Sequence, residues 1–171
     1  MIHKLAKKNC NNYLEKYYIA SAIWFIGGVV ARQIVRAYAK RTDNIQRFAI
    51  MSEAAGRIES TMVLPGNFAV IVFGVIYGLM IHAPILGFLQ GQARNWLLVS
   101  NLLLLIGFFN IPLVFIPKGK LFDIALKDAL ARGQMTPELR AQMDDQTVRI
   151  VHFIELAALG VITILMVFKP F

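Results

Sequence analysis

Two side chains that could perform acid–base or ligand chemistry, His152 and Glu155, lie near the start of the last apolar run of this chain. They are three residues apart and would share one face of a helix, and Arg149 continues the same row. At about 1.5 Å per residue, Glu155 would lie roughly 8 Å inside that run, where a carboxylate needs a partner if lipid surrounds it. Such a pair could handle a proton, an ion or an anionic ligand.

Other polar residues occupy comparable depths in the remaining apolar runs. Arg32 lies near the end of the first run, Asn67 near the start of the second and Asn110 near the end of the third. Because successive helices run in opposite directions, all of these residues would meet at one side of a bundle. The sequence therefore predicts one polar pocket lined by Arg32, Arg57, Asn67, Asn110, His152 and Glu155.

This predicted pocket has two interpretations. In the first, it binds a proton, an ion or an anionic ligand, with Arg57 and Glu59 at its mouth. In the second, Arg32 or Arg57 neutralises Glu155 and the ion pair fixes the register of the helices. We favour the second interpretation, because it needs no ligand to explain a buried charge.

The chain lacks the residue patterns of familiar catalytic and metal sites. One His-x-x-Glu sequence supplies two metal ligands, whereas a bundle-core dinuclear site needs a repeated Glu-x-x-His motif with further carboxylates. Two axial histidines for haem should lie at similar depths, yet His82 and His152 would be at opposite faces, about 25 to 30 Å apart. There is no glycine-rich phosphate loop and no nucleophile elbow. We therefore expect no catalytic residues, no metal site and no haem or other cofactor. A mononuclear metal site completed by water or a partner, and a haem held by one histidine or between subunits, stay open as alternatives.

The elements that would position the polar residues are four long apolar runs, at 17–38, 62–83, 96–117 and 150–168. Each is close to the roughly 20 helical residues that cross the hydrocarbon core of a bilayer. With 57% hydrophobic and 16% charged residues, the composition is also too apolar for an ordinary soluble domain. The prediction is an all-α, integral membrane four-helix bundle forming a single membrane domain, with lipid as its surroundings.

The distribution of positive charge predicts the orientation. The net charge is +8, and most of the 18 Lys and Arg residues lie in the first and third connections or at the end of the first run. The positive-inside rule then puts both connections in the cytoplasm of a bacterium and both termini outside the plasma membrane. Since no nucleic-acid module accompanies the basic residues, we expect no nucleic-acid partner.

Both cytoplasmic connections have helical patterns and would extend the spans. Residues 44–60 are good helix formers that follow Thr42 and Asp43, either of which could cap a helix. Thr136-Pro137-Glu138 is a clearer helix start and predicts one helix over 137–168. Between them, residues 121–132 have amphipathic spacing and end at Gly133. This segment is either a helix lying on the membrane surface or an ordinary solvated helix packed on its neighbours.

Small residues predict a close helix contact. Gly74 and Gly78 are four residues apart in the second span, and Ser21 and Gly28 give the first span a similar narrow face. The contact could join spans of one chain or join subunits, and we favour the first.

Several motifs along the chain resemble those of one family. They are the run from Ala22 to Gly28, Gly56-Arg57, Leu64-Pro65-Gly66, and the closing run from Met166 to Pro170. With these motifs the chain resembles a family of small bacterial predicted integral membrane proteins, domain of unknown function 2269. That family is distantly similar in layout to copper-resistance-D-like four-helix membrane proteins and to a haem-associated protoporphyrinogen oxidase. Members often have a histidine early in span one, where this chain has Tyr17, and this departure weakens the case for haem or copper.

Two functions remain open from the sequence. The leading prediction is a non-enzymatic membrane protein that serves as an accessory or scaffold subunit, partnered by other membrane subunits or by a second copy. The alternative is a small carrier or redox protein that binds a proton, metal, quinone or porphyrin in the pocket.

Overall fold

The computed structural model of the protein describes residues 2–83, 85–91 and 95–168. Within these ranges there are seven α-helices, two π-helical segments and one short 3₁₀ turn, and there is no strand. The α-helices are α1 (Ile2–Ala39), α2 (Ile45–Ile58), α3 (Leu64–Met80), α4 (Trp96–Asn110), α5 (Ile116–Arg132), α6 (Pro137–Met143) and α7 (Gln146–Phe168). The π-helical segments are π1 (Glu59–Val63) and π2 (Ile111–Phe115), and the 3₁₀ turn is Gly87–Gln90.

Four of the helical stretches in the described ranges are long and apolar enough to cross a membrane. They are Asn12–Ala39, Ile45–Met80, Trp96–Arg132 and Pro137–Phe168. The prediction of an all-α membrane bundle with four spans is thereby confirmed. The second stretch has 36 residues and the third has 37, which gives each a length of roughly 55 Å, well beyond a hydrocarbon core of about 30 Å. Both stretches therefore project beyond the core as helical extensions.

The extensions begin and end at capping residues. The Asn44 side chain accepts a hydrogen bond from the Arg47 N–H at 3.0 Å, and α2 begins there. Thr136 does the same for the Leu139 N–H at 3.2 Å at the start of α6. Gly133 ends α5 in the left-handed conformation, with φ of +68°.

Two extension segments differ from the sequence prediction. Residues 121–132 are the last part of α5, which continues directly from the third span through π2. The stretch 137–168 is divided between α6 and α7 at Asp144 and Asp145. The Asp145 carboxylate caps α7 by accepting from the Val148 N–H at 3.1 Å and pairs with Lys118 at 2.6 Å. Aspartate favours a cap over a helix interior because its carboxylate competes for nearby backbone N–H groups.

The hydrophobic core has two parts. At the extension end, the ends of α1 and α5 pack with α2 and α6 around Ala39, Ile45, Phe48, Ala129 and Leu139. Between the spans, α1 packs on π1 and α3 around Phe25, Val29, Val63 and Val70, with Leu104 of α4 and Leu159 of α7 at the edge. The spans form two pairs, α1 with α3 and α4 with α7, and close backbone contact between the pairs is sparse.

Glycines allow the close approach of α1 to the second span. A Cβ atom at Gly28 would lie 2.7 Å from the Cβ atom of Met62, and one at Gly66 would lie 3.0 Å from the Cα atom of Phe25. Farther along α3, Gly74 faces the ring of Tyr18, and Gly78 faces Ile85 in the turn after α3. Gly28 and Gly74 therefore lie in the contact between α1 and the second span, whereas Gly78 packs on the turn that follows α3.

Ser21, the remaining small residue of the predicted packing face, turns its hydroxyl back onto its own helix. This hydroxyl donates to the Tyr17 carbonyl oxygen, 2.7 Å away, and so contributes no hydrogen bond to the second span.

Replacing Gly28 with alanine should destabilise the protein by about 1 to 3 kcal/mol. The new methyl group would clash with Met62 Cβ, which is bonded to the backbone and can move away only if the backbone shifts. Gly27→Ala is the matched control, since a Cβ there has no heavy atom within 4 Å and gains helix propensity. Thermal unfolding in detergent would measure both variants. Equal stability of Gly28→Ala and Gly27→Ala would contradict the close packing of α1 on the second span.

Candidate functional site

A buried arginine lies at the centre of the candidate site. Arg32 of α1 has a side chain that is only 1% exposed. Its guanidinium group donates through one terminal nitrogen to Glu59 and through the other to Glu155. Glu59 is the first residue of π1 and Glu155 belongs to α7, so this one cation connects three separate segments of the chain.

His152 extends this network on the side of α7. Its Nδ1 atom lies 3.2 Å from Glu155 Oε2, and its Nε2 atom contacts the Arg36 guanidinium. Its ring stacks on Phe115, with ring centroids 4.8 Å apart and an angle of 26° between the planes. The Arg32 guanidinium also lies 5.9 Å from the centre of the Phe115 ring, within the range of a cation–π interaction.

The hydrogen-bond partners assign the tautomer of His152. A guanidinium group has donors and no acceptor, so the Nε2 atom facing Arg36 must hold a lone pair. The proton of the neutral imidazole then lies on Nδ1 and is donated to Glu155. Arg32, Arg36, Glu59 and Glu155 contribute two positive and two negative charges, and with a neutral His152 the group is neutral as a whole.

We call these five residues and Phe115 the arginine cluster: Arg32, Arg36, Glu59, Phe115, His152 and Glu155. Both π-helical segments contribute to it, π1 through its first residue and π2 through its last. A π turn rotates the residues on either side of it relative to an α-helix, and such turns are frequent at functional sites. Here they bring Glu59 and Phe115 to the same point in the bundle.

In the described chain, each π segment is followed by one residue and then by a proline. The Leu64 N–H bonds to the Glu59 carbonyl and Pro65 follows, while the Ile116 N–H bonds to the Ile111 carbonyl and Pro117 follows. Because proline has no N–H, the carbonyl four residues before it loses its helical donor. For Pro65 that carbonyl belongs to Thr61.

The Trp24 indole replaces the donor that Pro65 lacks. Its Nε1–H donates to the Thr61 carbonyl oxygen at 3.3 Å. An aromatic residue well inside the first span thus satisfies a backbone acceptor in the second.

The structure brings together three of the six residues of the predicted pocket: Arg32, His152 and Glu155. Arg57 is not part of the arginine cluster, because its side chain is 78% exposed and pairs with Glu53 at 2.7 Å on the outer face of α2. Asn67 is buried in α3, and its Oδ1 atom has no hydrogen-bond partner in the described part of the chain. Asn110 is half-buried just before π2 and makes no side-chain hydrogen bond to the cluster.

Sequence reasoning missed the contributions of Arg36 and Phe115. Arg36 could have been found, since it follows Arg32 by four residues and so lies on the same helix face. Phe115 could not, because its position depends on the π turn before Pro117.

The described residues contain no group of three His, Cys, Asp or Glu side chains that could hold a metal ion. In the arginine cluster, Arg32 lies between the two glutamates and takes the place that a cation would need. The arrangement is therefore suited to holding helices together and to binding or releasing protons.

Comparison with known proteins matches the chain to a family. A family described as "Predicted integral membrane protein (DUF2269)" matches residues 13–170. No curated protein and no solved structure matches the chain.

Removing the central charge should have a large effect. Arg32→Met would leave two buried carboxylates without their cation, and we expect a loss of about 3 to 5 kcal/mol of unfolding free energy. Arg57→Met, which breaks an exposed pair, should cost less than about 1 kcal/mol.

Unfolding of both variants by SDS titration would test this difference, and Glu59→Gln should be intermediate because it leaves one of the two ion pairs of Arg32 intact. Similar small losses in Arg32→Met and Arg57→Met would show that the cluster does not hold the helices.

Proposed function

We propose a function for a chain that belongs to the DUF2269 family of predicted integral membrane proteins: it acts as a non-enzymatic accessory or scaffold subunit of a membrane complex. The proposed location is the plasma membrane of a bacterium, with the α2, α5 and α6 extensions in the cytoplasm and both termini outside. The positive charge near the extensions supports this orientation.

The observation that carries this proposal is the unequal burial of the two helix pairs. In the apolar part of the span that contains α4, 6% of the residues are buried within the chain, and the figure for the span that contains α7 is 11%. The corresponding figures for the first and second spans are 22% and 28%. Large apolar side chains such as Leu113 and Phe153 are each 72% exposed. The outer surface of α4 and α7 is therefore available to lipid or to another transmembrane helix.

The arginine cluster supports a structural role for the polar residues. Each charged group of the cluster has its partner within the same chain. Burying such a cluster stabilises a particular arrangement of helices only when all its members are present. The bundle is thus held together within one chain, while the α4–α7 pair keeps an exposed apolar surface. An accessory subunit would use such a surface to bind its partners.

A second function is favoured by a different observation. Asn67 Oδ1, Arg32 Nε and Gln33 Nε2 are buried without hydrogen-bond partners in the described part of the chain. Buried polar atoms without partners are costly, and a small polar ligand could satisfy them. This supports the alternative of a carrier or redox protein. A quinone or porphyrin carbonyl or carboxylate would accept from the donors Arg32 Nε and Gln33 Nε2, whereas the acceptor Asn67 Oδ1 would need a ligand that donates, such as a hydroxyl group.

One purification separates the two functions. The chain is extracted from its native membrane in mild detergent, crosslinked, and examined for mass and absorption spectrum. We expect a particle that contains a second copy or another membrane subunit in fixed stoichiometry. Phe153→Ala should reduce its recovery several-fold. Phe68→Ala, at a phenylalanine on α3 that is 63% exposed against 72% for Phe153, should leave it unchanged.

A strictly monomeric particle would contradict the accessory-subunit proposal. If that particle also carried a stoichiometric chromophore, the carrier or redox function would replace it.

A further inference from the structure

The contact between Arg36 and His152 is the feature of the arginine cluster that an ion-pair scaffold does not require. It joins α1 to α7, two helices whose backbones are not closely packed along their length. The long side chains of Arg32 and Arg36 therefore make much of the connection between the two helix pairs at this end of the bundle.

The hydrogen-bond pattern allows this contact only while His152 is neutral. If Nε2 gains a proton, it loses the lone pair that accepts from Arg36, and two N–H groups face each other. The imidazolium also carries a charge next to the Arg36 and Arg32 guanidinium groups. Protonation therefore converts a hydrogen bond into a repulsion between α1 and α7.

The surrounding groups do not cancel this change. On α1 the charged groups facing His152 are Arg32 and Arg36, and on α7 it is Glu155, which already accepts from both Arg32 and His152 Nδ1. Glu59 of π1 bonds to Arg32. The sequences of α4 and π2, which also pack against α7, contain no titratable residue. One added proton therefore leaves the cluster with a net positive charge.

We propose that His152 is a proton-operated latch: when neutral it holds α7 to α1 at Arg36, beyond the Arg32–Glu155 ion pair, and when protonated it lets this part of α7 move away from α1 while the ion pair stays in place. The ligand of this site is a proton, taken up from the side of the helical extensions. Histidine is the side chain whose charge ordinarily changes in the physiological range. The latch is a motion within one chain and does not depend on a partner or cofactor.

Spin labels on the two helices would test the latch. The labels are placed at exposed positions of α1 and α7 through Ile34→Cys and Ile154→Cys, with Cys10→Ser to remove the natural thiol. The protein is reconstituted in lipid, and the distance between the labels is measured at about pH 8 and about pH 5. We expect the distance to increase at the lower pH.

Three variants make the result specific to the latch. His152→Gln keeps a donor and an acceptor but stays neutral, so the distance should no longer respond to pH. Arg36→Gln should also abolish the response, because its amide can accept from a protonated imidazole. His82→Gln, which changes the exposed histidine in the turn after α3, should respond as the unmodified chain does.

An unchanged distance in the unmodified chain, or the same increase in His152→Gln, would overturn the proposal. Nitrogen NMR of the His152 ring supplies a test that needs no variant at the cluster. At about pH 8 we expect a neutral ring with its proton on Nδ1, and a ring protonated on Nε2 would equally refute the latch.

Discussion

The burial of Arg32 is the constraint on which the rest of the structure depends. A guanidinium group cannot lose its proton in a protein, so it must be neutralised where it lies. Its side chain is 1% exposed, and its partners come from π1 and α7. Breaking a buried ion pair costs several kcal/mol of unfolding free energy, because it leaves a buried charge without a partner. The two ion pairs of Arg32 therefore fix the positions of three helical segments relative to one another. The hydrophobic contacts of Leu104 and Leu159 with the α1–α3 core then complete the connection between the helix pairs.

Proline accounts for the backbone geometry that makes this neutralisation possible. Pro65 and Pro117 each remove one helical donor, and the residue before each proline closes a π turn. The turns carry Glu59 and Phe115 to Arg32 and His152. A freed carbonyl would be expensive next to lipid, and the Trp24 indole satisfies the one at Thr61. Pro65 and Pro117 thus account both for the irregular backbone and for the arrangement of the polar site.

The sequence predicted what depends on composition and short-range pattern. The four spans, the all-α class and the cap at Thr136 follow from hydropathy and side-chain chemistry, and the structure contains them. The prediction of a cap at Thr42 or Asp43 was wrong, because Asn44 is the residue that caps α2. The break at Asp144 and Asp145 was not predicted, although two adjacent aspartates after Met143 were a visible signal for a cap.

The candidate site was only partly predictable, because it depends on rotation about helix axes. Depth within the spans placed Arg32, His152 and Glu155 on one side, and the structure joins them. Depth could not distinguish Arg32 from Arg57 as the partner of Glu155, since the direction in which each arginine points is set by helix packing and by π1. Three expectations stay predictions: the similarity in layout to copper-resistance proteins, the absence of a metal site and a cofactor, and the orientation of the termini.

Arg32 and Glu155 hold the two helix pairs together as one energetic unit. A double-mutant cycle in lipid or detergent, with Arg32→Met, Glu155→Gln and the double variant, measures this coupling directly from the free energies of unfolding. We expect the double variant to lose less than the sum of the single losses, by at least about 1 kcal/mol, as for residues in direct contact. Losses that simply add would contradict it.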